Sequence, residues 1–376
     1  MDNTSLIIKV PGKLMIAGEY AVLSTGYPAV VTAVNRYITI KIYQCDQFKI
    51  SYYYTKLPEV VWSFDDKGSV IGLEKEKYAF IREAISTACR YLKEKSVMIA
   101  PFHLKIQNEL NDSLTGKKYG LGSSSAIVVG VISAILAFHE QGLEEDRLTL
   151  YKLSCISHLK SQGNGSGADI AAAVFGGWLC YYRYDLSWLT KRLADQKEGI
   201  TKLVNIPWPY LGVERIKLPS NIKIVAGWTK HTAKTSPLVD KIEAFQRDNT
   251  KQYDVFLEES KIAVKELISS CKRRYEAGIL TAIHRNRTAL QYLSDITGMQ
   301  LETKEIKTLC QIADQYGAGK FSGAGGGDCG FAILTSAERI GALRQEWKQA
   351  GIIPLDIRIT KQGVICYRKK MPNNNH

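Results

Sequence analysis

The sequence predicts an α+β protein of two domains, on three observations. Its 376 residues are more than one core organises at ~150 residues per domain. Strand-like segments come first, helical ones follow and strands return near the end, without the regular alternation of a parallel βαβ series. Between the halves, residues 186–220 become rich in Lys, Arg and Asp, and Pro207, Pro209 and Pro219 break regularity. The boundary is placed there, giving domains 1–205 and 206–376.

The elements follow in order. Short apolar runs at 6–10 and 29–34 read as strands, 37–43 alternates apolar and polar residues, and 48–54 is rich in aromatics. Over 74–95, Ile81, Ile85, Ala88 and Leu92 recur at spacings of three and four, one face of a helix. A strand at 102–106 is followed by helices at 123–139, 146–160 and 166–174, then a buried strand at 177–182. Past the boundary come a strand at 222–227, helical patterns at 237–275 (broken within), 280–296 and 302–316, and a glycine-rich segment. A strand at 330–334, a helix at 337–350 and strands near 354–359 and 363–367 complete the chain before a polar tail.

Composition narrows the function. With 45% hydrophobic and 23% charged residues the chain is expected to fold rather than remain disordered. The net charge of +13 favours anionic partners: nucleic acid, a membrane surface or a phosphorylated small molecule. The basic residues are spread along the chain and no RNA-recognition signature accompanies them, so neither nucleic acid nor membrane is the expected partner. The start lacks a signal-peptide pattern, and the longest apolar run, 126–138, is interrupted by Gly130 and Ser133 and too short to span a bilayer. Eight cysteines lack zinc-ligand spacing and read as buried thiols of a reducing cytoplasm. The six histidines are isolated, which predicts surface or satisfied core roles and no metal cluster.

Four segments carry chemistry. The first is V-P-G-K-L-M-I-A-G-E-Y-A-V-L, 10–23. The second, K-K-Y-G-L-G-S-S-S-A, 117–126, places Gly120 and Gly122 before three hydroxyls at the start of an apolar helix. Unpaired N–H groups and a macrodipole make that an anion site, and the alternative is a capped helix with flexible glycines. The third, Q-G-N-G-S-G-A-D-I-A, 162–171, puts Asp169 in the first turn of a short helix, as a candidate base or as an N-terminal charge partner. The last, K-F-S-G-A-G-G-G-D-C-G, 320–330, formally contains G-x-G-x-x-G, but a strand follows where a dinucleotide fold needs a helix. It reads as a loop that lets something approach the backbone, or as a tight turn. P-loop, protein-kinase and nucleophile-elbow patterns are absent.

Together, in this order and spacing, the segments resemble the GHMP kinases over essentially the whole chain. Within that superfamily G-E-Y at 18–20, Q-G-N-G-S-G-A-D and G-W-T followed by T-S-x-L-V resemble the bacterial phosphomevalonate kinase group. Mevalonate kinases are the runner-up and usually show G-E-H. The resemblance implies an N-terminal α+β nucleotide-binding domain and a C-terminal ferredoxin-like domain, with ATP and 5-phosphomevalonate meeting in the cleft between them. It implies an ATP phosphate loop of Gly120, Leu121, Gly122, Ser123, Ser124 and Ser125, with Ser124 nearest Mg2+. Lys13, Asp169 and Lys118 match catalytic positions. Lys13, Glu19, Tyr20, Ser166, Thr235, Ser236, Ser322, Gly323 and Ala324 match the acceptor site. Lys13, Lys118, Lys234 and Lys320 are the cations expected to offset substrate charge. Mevalonate kinases carry a magnesium-binding glutamate eleven residues before the aspartate; His158 stands there, so the carboxylate ligand is left open, as is the choice between monomer and homodimer.

Overall fold

A computed structural model describes residues 4–53, 58–142, 146–195, 198–231 and 235–370. Its spine is a long hairpin of β1 (Thr4–Ala17) and β2 (Pro28–Gln44). The expected break at Pro11 and Gly12 does not end β1. Register shifts at Pro11/Gly12 and Met15/Ala17 absorb both residues, so the strand carries Lys13 onward. The two segments expected at 29–34 and 37–43 are one strand. Ile38, Ile40 and Ile42 are buried, while Tyr37, Thr39, Lys41 and Tyr43 between them are half-exposed.

This sheet grows on both sides. β3 (Lys49–Tyr52) pairs with β4 (Val60–Val61) and β7 (Phe102–Asn108), while β5 (Ser63–Phe64) and β6 (Val70–Ile71) form a separate small hairpin. One face is covered by α1 (Ala79–Glu94), α2 (Ser123–Phe138), α3 (Arg147–Gln162) and α4 (Ala168–Phe175). β8 (Trp178–Tyr182) pairs with the first part of β2. The 186–220 segment, read as irregular, holds α5 (Leu186–Ala194), α6 (Ile200–Asn205) and β9 (Gly212–Ile216), and β9 pairs with β8 in the large sheet. Asp185 caps α5 through the Trp188 N–H, an N-terminal signal hidden among charged neighbours.

The second sheet begins at β10 (Lys223–Trp228). Four helices follow: α7 (Thr235–Asp248), α8 (Thr250–Arg273), α9 (Glu276–Thr297) and α10 (Lys304–Asp314). The expected break within 237–275 lies at Asn249. Then come β11 (Ala318–Phe321), β12 (Cys329–Leu334), α11 (Ile340–Gln349) and β13 (Ile353–Leu355). The spatial order β11-β12-β10-β13, antiparallel throughout, with a β-α-β-β-α-β chain order, is the ferredoxin-like arrangement. β11 was not expected: its four residues, A-G-K-F, are all buried, and the alanine, glycine and lysine hide the strand pattern. The chain then crosses back, and β14 (Ile365–Lys370) pairs with β1. No disulfide joins the cysteines; Cys45 and Cys366 are only half-buried, unlike the other six. No helix among the described residues is long and apolar enough to cross a membrane.

Candidate active site

Lys13 sits where three glycine-rich segments meet. It is 6% exposed, and its own N–H donates to the Leu121 carbonyl (3.0 Å). Its Nζ lies 3.4 Å from the Gly120 carbonyl oxygen and 3.6 Å from Asp169 Oδ1. Gly122, at φ +77°, is the N-cap of α2, and a Cβ there would stand 2.9 Å from Lys13 Cγ. A Cβ on Gly120 would stand 2.6 Å from Asp328 Cβ. Only glycine permits both the left-handed backbone and these approaches.

Two helix N-termini open on the same cavity of about 170 Å³. At α2 no side chain caps the helix, which removes the capped-helix alternative; Ser124 and Ser125 line the cavity instead. At α4, Ser166 Oγ accepts from the Ala168 N–H (3.2 Å) and Asp169 occupies the first turn. Unsatisfied N–H groups and two dipoles therefore point their positive ends at one space. That favours phosphate there without a crowd of lysines.

The last motif is fastened to the first. The Met15 N–H donates to Ser322 Oγ (2.8 Å), the Tyr20 hydroxyl donates to the Ala324 carbonyl (2.5 Å), and Lys320 Nζ donates to Glu19 Oε1. Tyr20 holds φ +60°, a costly conformation for a bulky side chain. Burial pushes its phenol well above the ordinary range, so it remains a donor.

Of the expected site residues, Lys13, Glu19, Tyr20, Ser124, Ser125, Ser166, Asp169, Gly323 and Ala324 line the cavity. Gly120, Leu121, Gly122, Ser123 and Ser322 form the turns around it. Two expected cations are not brought in. Lys118 is exposed and lies outside the lining, in a backbone bridge to Asn111. Lys320 is fully buried and ion-paired to Glu19, so its charge is already matched. Burial lowers the Lys320 ammonium and the adjacent Glu19 carboxylate opposes that. Lys234 lies outside the described residues, and of Thr235 and Ser236 only the backbone, at the start of α7, is described.

Two residues were missed, and a third, His158, was noted only as standing where mevalonate kinases carry a glutamate. Asn164 lines the cavity and donates to Asp240 (3.1 Å); its motif was read for its glycines, Ser166 and Asp169. His158, expected to be satisfied, lines the cavity with a buried Nε2 that has no partner. Its ring lies 5.2 Å from that of Phe80, and burial pushes the imidazole down to about 4, against a weaker opposing pull from Asp169. Arg183 follows β8 and is 4% exposed, with Nη1 donating to the Leu23 carbonyl (2.8 Å). A single arginine after an apolar strand gives no signal in the sequence.

Known proteins resemble this chain in sequence and fold. The model of the GHMP kinases N terminal domain matches residues 80–177, and that of the GHMP kinases C terminal domain matches 279–353. A phosphomevalonate kinase of Streptomyces sp. strain CL190 is 30% identical over 96% of this chain and 98% of its own. The crystal structure of a Lin0012 protein from Listeria innocua is 36% identical, covers 96% of this chain and 99% of its own, and superposes with a TM-score of 0.89. Streptococcus pneumoniae phosphomevalonate kinase, in complex with phosphomevalonate and AMPPNP, is 27% identical, with a TM-score of 0.81 over 94% of this chain and 99% of its own. Whole-length similarity and a lysine held between two helix N-termini and a glycine-rich third loop lead to one assignment: this chain belongs to the GHMP kinases.

Proposed function

We propose that the chain transfers the γ-phosphoryl group of ATP to (R)-5-phosphomevalonate, giving ADP and 5-diphosphomevalonate. The observation that carries the reading is Lys13, buried between Asp169 and the α2 turn where two helix N-termini open. Its support from relatives is the full-length similarity to phosphomevalonate kinases.

Phosphoryl transfer needs positioning and charge neutralisation more than covalent help. In this reading the α2 N–H groups and the Ser124 and Ser125 hydroxyls take the nucleotide phosphates. An oxygen of the acceptor phosphate attacks the γ-phosphorus, and the bond to the β-phosphate oxygen breaks with its electrons leaving on ADP. The attacking oxygen is already ionised near neutral pH, so no base is required. Asp169 then serves by holding Lys13, whose ammonium neutralises charge on the transferring group. Glu19, Tyr20, Ser166, Ser322, Gly323 and Ala324 shape the acceptor end, while Lys118 stays at the rim.

Mg2+ fits the donor set. Ser124 and Asp169 offer oxygens to one cavity, and no cluster of three His, Cys, Asp or Glu side chains exists among the described residues. That suits an ion bound by phosphates, waters and one or two protein oxygens. Bound there, it would neutralise phosphate charge.

The test is a coupled ADP-release assay with 5-phosphomevalonate and mevalonate side by side. A preference for the phosphorylated acceptor is expected, and Lys13→Met should lose at least ~100-fold in turnover. Equal efficiency on mevalonate would overturn the named acceptor.

A further inference from the structure

Among the described residues, the lysines expected to offset acceptor charge are either outside the cavity lining or already paired. Lys118 is exposed and does not line the cavity, Lys320 is matched by Glu19, and Lys13 is shared with Asp169. A carboxylate and a phosphate entering beside ATP need further positive charge, or repulsion expels them.

Arg183 is a buried cation with no carboxylate paired to it among the described residues. Its Nη1 donates to the Leu23 carbonyl, and both Nε and Nη2 are buried with no acceptor. It makes no ion pair with a carboxylate among the described residues. Its titratable neighbours Tyr181, Tyr184 and Cys155 are all pushed up by burial and stay neutral. A guanidinium keeps its charge, and burying one unpaired is costly unless a counter-charge arrives. Arg183 also sits against the cavity wall. Leu23, which it bonds, lines the cavity. Tyr181, two residues before it, donates to the carbonyl of Ser166, another lining residue.

We infer that Arg183 is an acceptor-specificity residue, a fixed charge behind the Leu23 wall that holds the anionic end of the acceptor in the cavity. It is a positioning residue: it acts through the wall, not on the reacting atoms. The inference rests on the 5-phosphomevalonate reading of the same cavity.

The experiment compares Arg183→Gln, which keeps an N–H donor for Leu23 but loses the charge, with Arg183→Lys, which keeps the charge. Michaelis constants for 5-phosphomevalonate, mevalonate and ATP are measured in each. Loss of a fixed charge facing a bound anion across a low-dielectric wall predicts a rise of about 10-fold or more in the acceptor constant. The ATP constant should be unchanged, and Arg183→Lys should recover most of the loss. A rise confined to 5-phosphomevalonate assigns Arg183 to the phosphate end, and one shared by mevalonate assigns it to the carboxylate end. An unchanged acceptor constant in Arg183→Gln, or an equal rise for ATP, overturns the inference while leaving the acceptor assignment intact. If Arg183→Gln does not fold, Arg183→Lys decides: a near-native acceptor constant supports the inference and a 10-fold rise overturns it. A wild-type protein that phosphorylates neither acceptor overturns both readings before any variant is made.

Discussion

Gly122→Ala isolates the contact on which the site depends. The backbone there is at φ +77°, and an L side chain in that region costs roughly 1–2 kcal/mol. That cost alone should not abolish turnover. The larger effect is steric: the new Cβ would stand 2.9 Å from Lys13 Cγ, 3.3 Å from its Cε and 3.5 Å from Asp169 Oδ2. Carbon atoms rest at about 3.5–4.0 Å, so the lysine stem must give by about 0.6–1 Å. Its ammonium now lies 3.6 Å from Asp169 Oδ1 and 3.4 Å from the Gly120 oxygen, and it cannot keep both. A misplacement near 1 Å in a positioned group costs ~10²-fold in rate. Turnover of Gly122→Ala should therefore fall about that far in the ADP-release assay, with the fold retained by circular dichroism. Gly298→Ala is the control, since its φ is +64° with nothing within 4 Å of the added carbon. It should bear the same backbone strain at native turnover. A folded Gly122→Ala protein with native turnover refutes the argument that Lys13 must stay where the turn holds it.

Two further outcomes concern stability. Lys320→Met leaves the Glu19 charge buried without a partner, and both side chains are at most 2% exposed; the expected loss is about 3–5 kcal/mol. Glu19→Gln combined with Lys320→Met removes both charges and should regain much of it, and urea midpoints no better in the double variant would refute the coupling. His158 is held near 4 against an ordinary 6.5, so between those values the unfolded chain binds the extra proton. Stability is therefore full above pH 6.5 and falls as pH drops toward 4, by about 2 kcal/mol from pH 7 to pH 5. His158→Gln should make that part of the urea-midpoint profile shallower, with buried His103 and half-buried His139 carrying the remainder, and an unchanged slope would count against a buried neutral imidazole at His158.

The sequence by itself determined the chemistry-bearing segments and the two-domain α+β character. Glycines before a run of serines and an apolar helix specify an anion-binding turn locally, as does a carboxylate in the first turn of α4. Helices with strong 3.6-residue periodicity, such as α1 and α10, were legible for the same reason: their buried faces repeat within a few turns. Tertiary structure decided the rest. β1 runs through Pro11 and Gly12 because bulges against β2 absorb them, and β11 forms because β12 pairs with it. Charge was decided the same way. Lys320 looked like a cation available to substrate until the fold set Glu19 against it. Lys118 looked close to the phosphates, but the fold leaves it exposed and outside the lining. Arg183 gave no signal at all until β8 buried it beside Leu23. Local propensity and backbone geometry act over a few residues and can be read along the chain. The partner of a charge lies up to 301 residues away, and burial, which determines whether that charge is available to a substrate, exists only once the chain has folded.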